Sequence, residues 1–460
     1  MTARQGNRAT FACARRPAPP MLTRLLASTL ACVAVLLAAA SAAHARAGDL
    51  DLRYGTRGLA KTSLLEGGAA AVRDGRGGLF VAGGGPLPGV ARITARGRLD
   101  TRFAKGRGVT LFDRASYMIP EAIGVGRDGR VQVLAGAART DRLPAVLARV
   151  TPGGTRQTVS FHPGPFQGPI AAGVLRPDGG AFLLSGRPCL YEDERFAREY
   201  CVAARARALR PDGAADAAFG GGTVDLTAPP APASTGTAMA LRPDGRLLVA
   251  TAAGNGERPR LVQLLPDGRP DPSFGTGGLV ELPFPADAVR VAKDGTVVVA
   301  GGGGHRRLAR VLRLRPDGAR DDRFGRGAPV TLGRTPSGLG GTARDVVVDG
   351  DGLYVAADAI DRYDKGPRDD RPTVFRLTPG GRPDAAFGRR GVSNAIPAPR
   401  SAYDTTTGAA LVLDGRGGVL VVGQLLSRGS NDPFTGCGIR DDTCASKVRL
   451  GVWRLKTRRR

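Results

Sequence analysis

The sequence predicts an all-β fold: a seven-bladed β-propeller of four-stranded blades, closed by an N-terminal strand that completes the last blade. Three observations indicate this fold. An Asp-x-x-aromatic-Gly turn recurs along the chain, Asp-Gly hairpins recur in antiphase to it, and the chain begins with the kind of strand that its last repeat lacks. The repeat length of roughly 50 to 60 residues is typical of propellers and some solenoids.

An aromatic residue marks each repeat. In the clearest copy, Leu314 to Gly327, the run Arg315-Pro316-Asp317-Gly318 predicts a type I turn with a glycine bulge before the Phe-Gly pair. We expect each ring to pack between two stacked sheets. The third copy, at Phe161, lacks both the aspartate and the following glycine. The seven aromatics are Tyr54, Phe103, Phe161, Phe219, Phe274, Phe324 and Phe387.

The other strands of each repeat follow from two further patterns. Asp-Gly pairs such as Asp294-Gly295 lie between two apolar runs, which is a hairpin signal. A third run reads apolar-Arg-apolar, as in Leu312-Arg313-Leu314, and is weaker in the third repeat, at Arg207-Ala208-Leu209. With the strand after the Phe-Gly turn, each repeat has four strands.

A β-sandwich or a β-solenoid is the alternative fold. Sandwiches do not repeat their turns so regularly, and the rungs of solenoids are shorter, so the pattern favours a propeller. The chain begins with a fourth-strand element, Leu50 to Thr62, and ends with a third strand, Leu450 to Leu455. We therefore expect the first strand to complete the seventh blade, which removes exposed sheet edges. Residues 48–460 are predicted to form this single domain.

These motifs resemble the delta-60 repeat of bacterial secreted and surface proteins. The aspartate, aromatic and glycine, then a valine strand and an Asp-Gly hairpin followed by Val-Ala-Gly, are also similar to NHL-repeat propellers. The resemblance covers nearly all of residues 48–455 and departs from the pattern at Thr155 to Phe161. It implies a propeller, and it transfers no catalytic residue to this chain.

The N-terminal residues 1–47 are predicted to be a signal peptide region. An apolar run from Leu25 to Leu37 follows a charged segment, and Ala43-His44-Ala45 is a small-residue cleavage pattern. The true start is then possibly Met21. We expect a secreted protein, extracellular or in the periplasm or cell envelope, with no membrane span after cleavage. An uncleaved membrane anchor is the alternative.

The formal net charge of the chain is +26. Removal of residues 1–45 leaves 62 basic and 41 acidic residues, a net charge of +21. Export and an aromatic content of only 5% argue against nucleic acid as a partner. Two explanations stay open: a solvated arginine-rich surface, or adhesion to an anionic polymer of the envelope. We expect a monomer that binds an unknown protein or such a polymer.

Four cysteines remain after the signal, in two close pairs: Cys189 with Cys201, and Cys437 with Cys444. Four cysteines allow three pairings, of which the two local disulfides are favoured in an oxidising compartment. The first pair encloses an acidic, aromatic loop on a basic protein. Its aromatics are predicted partner contacts: Tyr191, Phe196 and Tyr200. A tolerated surface insertion is the alternative explanation.

Catalytic patterns are sparse. After the signal only His162 and His305 remain, and no metal site, cofactor or catalytic residue is predicted, although calcium is conceivable. The acids near the start of first strands would line a propeller channel, together with an arginine at the matching place in the sixth blade. This weak candidate set is Glu66, Glu121, Asp287 and Arg344. Two functional classes follow: a non-catalytic binding or scaffold module, or a channel-centred metal-dependent enzyme resembling a lactonase or lyase.

Overall fold

The computed structural model describes residues 47–84, 87–112, 118–137, 145–162, 170–185, 204–226, 235–252, 258–302, 308–334, 341–350, 352–358, 372–394, 396, 405–427 and 447–457. The predicted signal, apart from Ala47, lies outside these ranges. The described ranges contain no helix that is long and apolar enough to cross a membrane.

The predicted disulfides also fall outside the described residues. None of the four cysteines concerned is described, which are Cys189, Cys201, Cys437 and Cys444. The pairing of Cys189 with Cys201 and that of Cys437 with Cys444 therefore stay predictions. The same holds for the partner contacts predicted in the first loop, at Tyr191, Phe196 and Tyr200.

The first strand in the chain is β1 (Leu59–Thr62). Blade 1 contains β2 (Glu66–Arg73), β3 (Leu79–Gly84), β4 (Gly89–Ile93) and β5 (Val109–Leu111). Blade 2 contains β6 (Met118–Val125), β7 (Val131–Ala137), β8 (Ala145–Val150) and β9 (Arg156–His162). Blade 3 contains β10 (Ile170–Leu175), β11 (Ala181–Ser185), β12 (Arg205–Leu209) and β13 (Thr223–Asp225).

Blade 4 contains β14 (Thr235–Leu241), β15 (Leu247–Ala252), β16 (Arg260–Leu264) and β17 (Leu279–Glu281). Blade 5 contains β18 (Ala286–Val291), β19 (Val297–Gly301), β20 (Arg310–Leu314) and β21 (Val330–Thr331). Blade 6 contains β22 (Thr342–Asp349), β23 (Gly352–Asp358) and β24 (Pro372–Leu377). Blade 7 contains β25 (Thr405–Leu413), β26 (Gly418–Ser427) and β27 (Lys447–Lys456), together with β1.

The predicted seven-bladed propeller is confirmed. Each sheet is antiparallel, and the first strand of every blade contacts the first strands of both neighbours, which places these strands around the central channel. Blade 6 departs from the predicted four strands, because its described sheet has three. A single bridge between Phe375 and Val392 stands where the fourth strand would pair.

The ring closes through the N-terminal strand, as the order of the motifs predicts. β1 pairs antiparallel with β27, from Leu59 opposite Trp453 to Thr62 opposite Leu450. The last blade therefore takes its outermost strand from the start of the domain. This arrangement leaves β27 with a partner on both sides and holds the first and last blades together.

Second strands are buried on both faces. β19, for example, reads Val-Val-Val-Ala-Gly with every residue buried, because blades stack face to face on either side of it. One apolar cluster forms at each of the seven blade interfaces, and six of them contain a motif aromatic. Those six aromatics are each at most 4% exposed. Phe161 pairs with Val146 in the sheet, and its side chain lies outside the described part.

The residue after the motif aromatic joins consecutive blades. The amide of Gly325 donates to the carbonyl of Gly380 in the next blade's turn at 3.0 Å, and Gly275 donates in the same way to Asp317 at 2.8 Å. A glycine of that turn, Gly318 for example, has a positive φ of 85° and lies against the preceding Phe-Gly pair, where a Cβ would be 3.0 Å from the amide nitrogen of Gly275. The glycines of the motif thus serve the packing between blades.

The arginine of the third strand has a structural role that the sequence pattern alone does not define. Arg376 lies 4.3 Å from the ring centroid of Tyr354 and donates to Asp349 at 3.0 Å and to Asp384 at 2.9 Å. We call this unit the arginine clamp: one guanidinium held between the first-turn aspartate and the aspartate of the Asp-x-x-Phe turn. Equivalent clamps are Arg92 with Asp74 and Asp100, and Arg454 with Asp414 and Asp51.

Blade 3 builds its clamp from a different residue. Ala208, not Arg207, holds the third-strand position, because its carbonyl accepts the amide of Asp216 as that of Arg92 accepts the amide of Asp100. Arg176 of the first turn supplies the guanidinium instead and donates to Asp216 at 2.5 Å. Ala208 is thus the middle residue of the weaker run Arg207-Ala208-Leu209, where the other blades with this motif have arginine.

Candidate functional site: channel and groove

A β-bulge interrupts the first strand of every blade at the same place. The unpaired residue is Glu121 in blade 2, Asp287 in blade 5 and Arg344 in blade 6. These are three of the four residues that the sequence predicts for the channel. Bulges re-aim a side chain away from the regular pleat, and these three residues stand at equivalent places in first strands.

Asp287 is the most perturbed acid of this set. Its side chain is accessible to solvent, yet protein atoms surround it closely, as expected in a narrow channel. This burial raises the pKa of Asp287 from 3.8 to about 6, while the charge of Arg344 and a hydrogen bond from the Gly302 amide act against the rise. Asp287 and Arg344 thus interact electrostatically across neighbouring blades.

The other two acids that the sequence predicts for the channel belong to blades 1 and 2, which are not neighbours of blades 5 and 6. Glu66 begins β2 opposite Gly84, just before an enlarged bulge at residues 67–69, and burial raises the pKa of its carboxyl. Glu121 lies at the bulge of β6 and is partly buried. The charge that acts on the pKa of Asp287 is that of Arg344 and not that of either acid. The predicted set is therefore divided between two pairs of neighbouring blades, 1 with 2 and 5 with 6.

A buried carboxylate that sequence reasoning missed ties three first strands together. Asp345 follows the bulge in blade 6 and accepts the guanidinium of Arg290 at 2.6 Å from blade 5. It also accepts the amides of Val346 at 2.8 Å and of Leu411 at 2.8 Å, the latter in blade 7. Burial raises the pKa of Asp345. The sequence signal that could have identified this residue is an acidic side chain within a mainly apolar first strand.

Asp287 is the described channel candidate that offers proton chemistry near neutral pH. A carboxyl with a pKa near 6 can exchange a proton near neutral pH, as a general acid or base does. Within the described ranges, no three His, Cys, Asp or Glu side chains lie close enough together to hold a metal ion. His162 ends β9, and His305 lies outside the described residues.

A second candidate site lies between the first turns of blades 2 and 3. This groove, of about 670 Å³, is named here the blade 2/3 groove. Its charged lining residues are Arg127, Asp128, Arg130, Arg149, Arg176 and Asp178. The groove lies beside the smallest of the seven interface clusters, which contains no aromatic ring among the described side chains.

Hydrogen bonds inside the groove pair some of these charges. Arg130 binds Asp128 at 2.6 Å and the side-chain oxygen of Gln157 at 2.6 Å. Arg176 binds Asp178 at 2.8 Å in addition to its clamp contact. Arg149 donates to the carbonyl of Gly179 at 3.1 Å, and its buried Nε has no hydrogen-bond partner among the described residues. The groove therefore has more guanidinium groups than carboxylates to neutralise them.

One family description matches part of the chain. A domain of unknown function (DUF5122) beta-propeller aligns with residues 242–274, which contain the hairpin, the second and third strands and the Asp-x-x-Phe turn of blade 4. None of the curated proteins matches the chain. This partial match agrees with the propeller architecture, whereas the delta-60 name stays a prediction.

Solved structures of low identity also resemble the chain. A protein from Lactobacillus plantarum shares 15% identity, with a TM-score of 0.41 over 79% of this chain and 92% of that one. Regucalcin, a calcium-binding protein from Agrobacterium tumefaciens, shares 14% identity, with a TM-score of 0.37 over 70% and 88%. A gluconolactonase from Xanthomonas campestris shares 16% identity, with a TM-score of 0.36 over 68% and 88%. At these values the similarities leave the function open.

Proposed function

We propose that this protein is an exported, non-catalytic propeller that binds anionic polymers of the cell envelope. The observation that carries the proposal is the blade 2/3 groove, in which four arginines face two aspartates. The groove lies on a chain of net charge +26. Clustered guanidinium groups attract polyanions and raise their rate of association.

The distribution of acids adds support. Aspartates of the repeat motifs are used by the fold: Asp384 and Asp349 hold an arginine clamp, and Asp317 accepts the amide of Ala319 within its own turn. These aspartates are already used by contacts within the fold. Because the chain has more basic than acidic residues, a net positive charge remains after all such pairs are formed. That excess is available for a polymer with repeated negative charges.

Binding of the mature protein to immobilised polyphosphate and poly-L-glutamate tests this function, with poly-L-lysine as the control surface. The proposal expects capture by at least one polyanion that weakens as salt is added, because exposed charges are screened. Equal retention on polylysine, or no retention on either polyanion at physiological ionic strength, would contradict it.

A channel-centred enzyme is the second candidate, and one observation favours it: the raised pKa of Asp287, about 6, beside Arg344. Perturbed acids in clefts are frequent at catalytic sites. Metal analysis of the purified protein and an assay of aliphatic lactone hydrolysis test this candidate. Hydrolysis that is lost in Asp287→Asn would support it, and equal rates with and without the protein would reject it.

A further inference from the structure

We infer that the blade 2/3 groove holds a phosphoryl group, with Arg149 as its principal ligand. This inference rests on the proposed function and names the site and the chemical group involved. It is drawn from a comparison of Arg149 with the third-strand arginines of the other blades. Their guanidinium groups are neutralised by built-in aspartates, as in blades 1 and 6, whereas that of Arg149 is not.

Both acids of the arginine clamp are missing in blade 2. The first-turn position, whose amide closes the hairpin, is Asp74 in blade 1 and Asp414 in blade 7, but it is Gly126 in blade 2. The Asp-x-x-Phe aspartate, Asp100 in blade 1, is replaced by Gln157, counted from the same turn. Two substitutions in one blade thus remove both carboxylates from one guanidinium.

The space left by these two substitutions is part of the groove. Gly126 and Gln157 line it together with Arg149, so an anion there would occupy the place of the clamp carboxylates. The terminal nitrogens of Arg149 and of Gln132 both approach Gly179, each 2.8 Å from where a Cβ on that glycine would lie. Two side chains with donor groups therefore meet at one end of the groove.

The charge of the groove selects a phosphoryl group over a carboxylate. Arg130 and Arg176 already pair with Asp128 and Asp178. Arg149 and the exposed Arg127 have no carboxylate partner within the described ranges. Two uncompensated guanidinium groups match the charge of about −1.5 to −2 on a phosphate monoester, and guanidinium forks suit phosphate oxygens.

Isothermal titration of the mature protein with inorganic phosphate tests the site, in a low-salt buffer free of other oxyanions. We expect saturable binding that weakens about tenfold or more in Arg149→Gln, the loss of one charge-assisted contact. The matched control is Arg258→Gln, which removes an exposed arginine of blade 4 that pairs with Glu281. The control should bind phosphate within about twofold of the parent.

Gly126→Asp restores the clamp carboxylate and keeps the inference testable if Arg149→Gln fails to fold. A Cβ at Gly126 would meet only the side-chain oxygen of Asp128 within 3 Å, and that side chain is exposed. We expect this variant to fold and to lose phosphate binding. Phosphate binding equal to that of the parent in Gly126→Asp would overturn the inference, as would a parent that does not bind phosphate.

Capture by immobilised polyphosphate, measured with the same variants, distinguishes binding of a polymer from binding of free phosphate. If the parent captures polyphosphate and Gly126→Asp captures it equally well, the proposed function stands and the site is wrong. If phosphate titrates into the groove but no polyanion is captured, the site stands for a free phosphate and the proposed function is wrong.

Discussion

The amide of Gly388 donates a hydrogen bond to the carbonyl oxygen of Ala47 at 2.6 Å, which joins blade 6 to the N-terminal segment. In five other blades the equivalent acceptor belongs to the turn that follows the third strand of the next blade, as Asp317 does for Gly275. The N-terminal segment therefore supplies the missing turn of blade 7 as well as its fourth strand, and two separate contacts close the ring.

The closure of the ring predicts that adding a side chain at Gly48 destabilises the fold. Its φ is +88°, and an added Cβ would lie 2.5 Å from the amide nitrogen of Gly388. Gly48→Ala should lower the free energy of unfolding by about 1–3 kcal/mol more than a matched glycine change, because backbone atoms must move. Gly106→Ala is the matched control, since Gly106 has a φ of +93° with no atom within 4 Å.

The two glycine variants are compared by urea denaturation. The control should cost only the left-handed backbone, about 1–2 kcal/mol. Equal losses in both variants would show that the contact between Gly48 and Gly388 contributes nothing to stability.

The arginine clamp predicts a large effect in blade 6. Arg376 is 6% exposed, and its removal leaves Asp349 and Asp384 without their shared cation. Arg376→Met should destabilise the fold by about 1–3 kcal/mol, because it removes a buried guanidinium that donates charge-assisted hydrogen bonds to two partly exposed carboxylates. Arg130→Met, which breaks the exposed pair with Asp128, should leave the urea midpoint nearly unchanged, because solvent screens that pair. Urea midpoints measure both, and similar values for the two variants would refute the structural role of the clamp.

Asp287 predicts a pH dependence with a definite sign. Its pKa is raised in the folded protein from 3.8 to about 6, so between these values the folded state binds more protons than the unfolded state. The contribution of Asp287 therefore lowers the stability as pH rises through this window. Asp287→Asn should have a higher melting temperature than the parent above the window and the same one below it. A variant that melts below the parent at neutral pH would contradict this.

The repeat turns made the architecture predictable from sequence. Each local motif, such as Asp321 to Gly325, specifies both a turn within a blade and a contact with the next blade. The number of motifs therefore predicts the number of blades, and their order along the chain predicts how the ring closes. The repeat pattern also identified Glu121, Asp287 and Arg344 as residues at equivalent places in first strands, and their role in a channel stays a prediction. In the described part of blade 6 the fourth strand is reduced to the bridge made by Val392, and sequence patterns do not indicate how far strand pairing extends.

The groove could not be predicted, because it depends on contacts between residues far apart in sequence. In sequence, Arg149 belongs to one more apolar-Arg-apolar strand. Only the register of the structure shows that Gly126 and Gln157 occupy the positions of the two clamp aspartates of blades 1, 6 and 7. The sequence shows that the repeat at Phe161 lacks the motif aspartate. It does not show the consequence, which is that the guanidinium of Arg149 loses the carboxylate that would have neutralised it.

The most direct test of the proposed function is the salt dependence of polyphosphate affinity, measured for the parent and for Arg127→Gln/Arg149→Gln. If the groove binds phosphoryl groups through these two arginines, log Kd should rise linearly with log salt concentration. The double variant should show a slope smaller by about 1–2, one for each ionic contact removed. A parent affinity that does not change with salt, or identical slopes for parent and variant, would contradict polyanion binding at this groove.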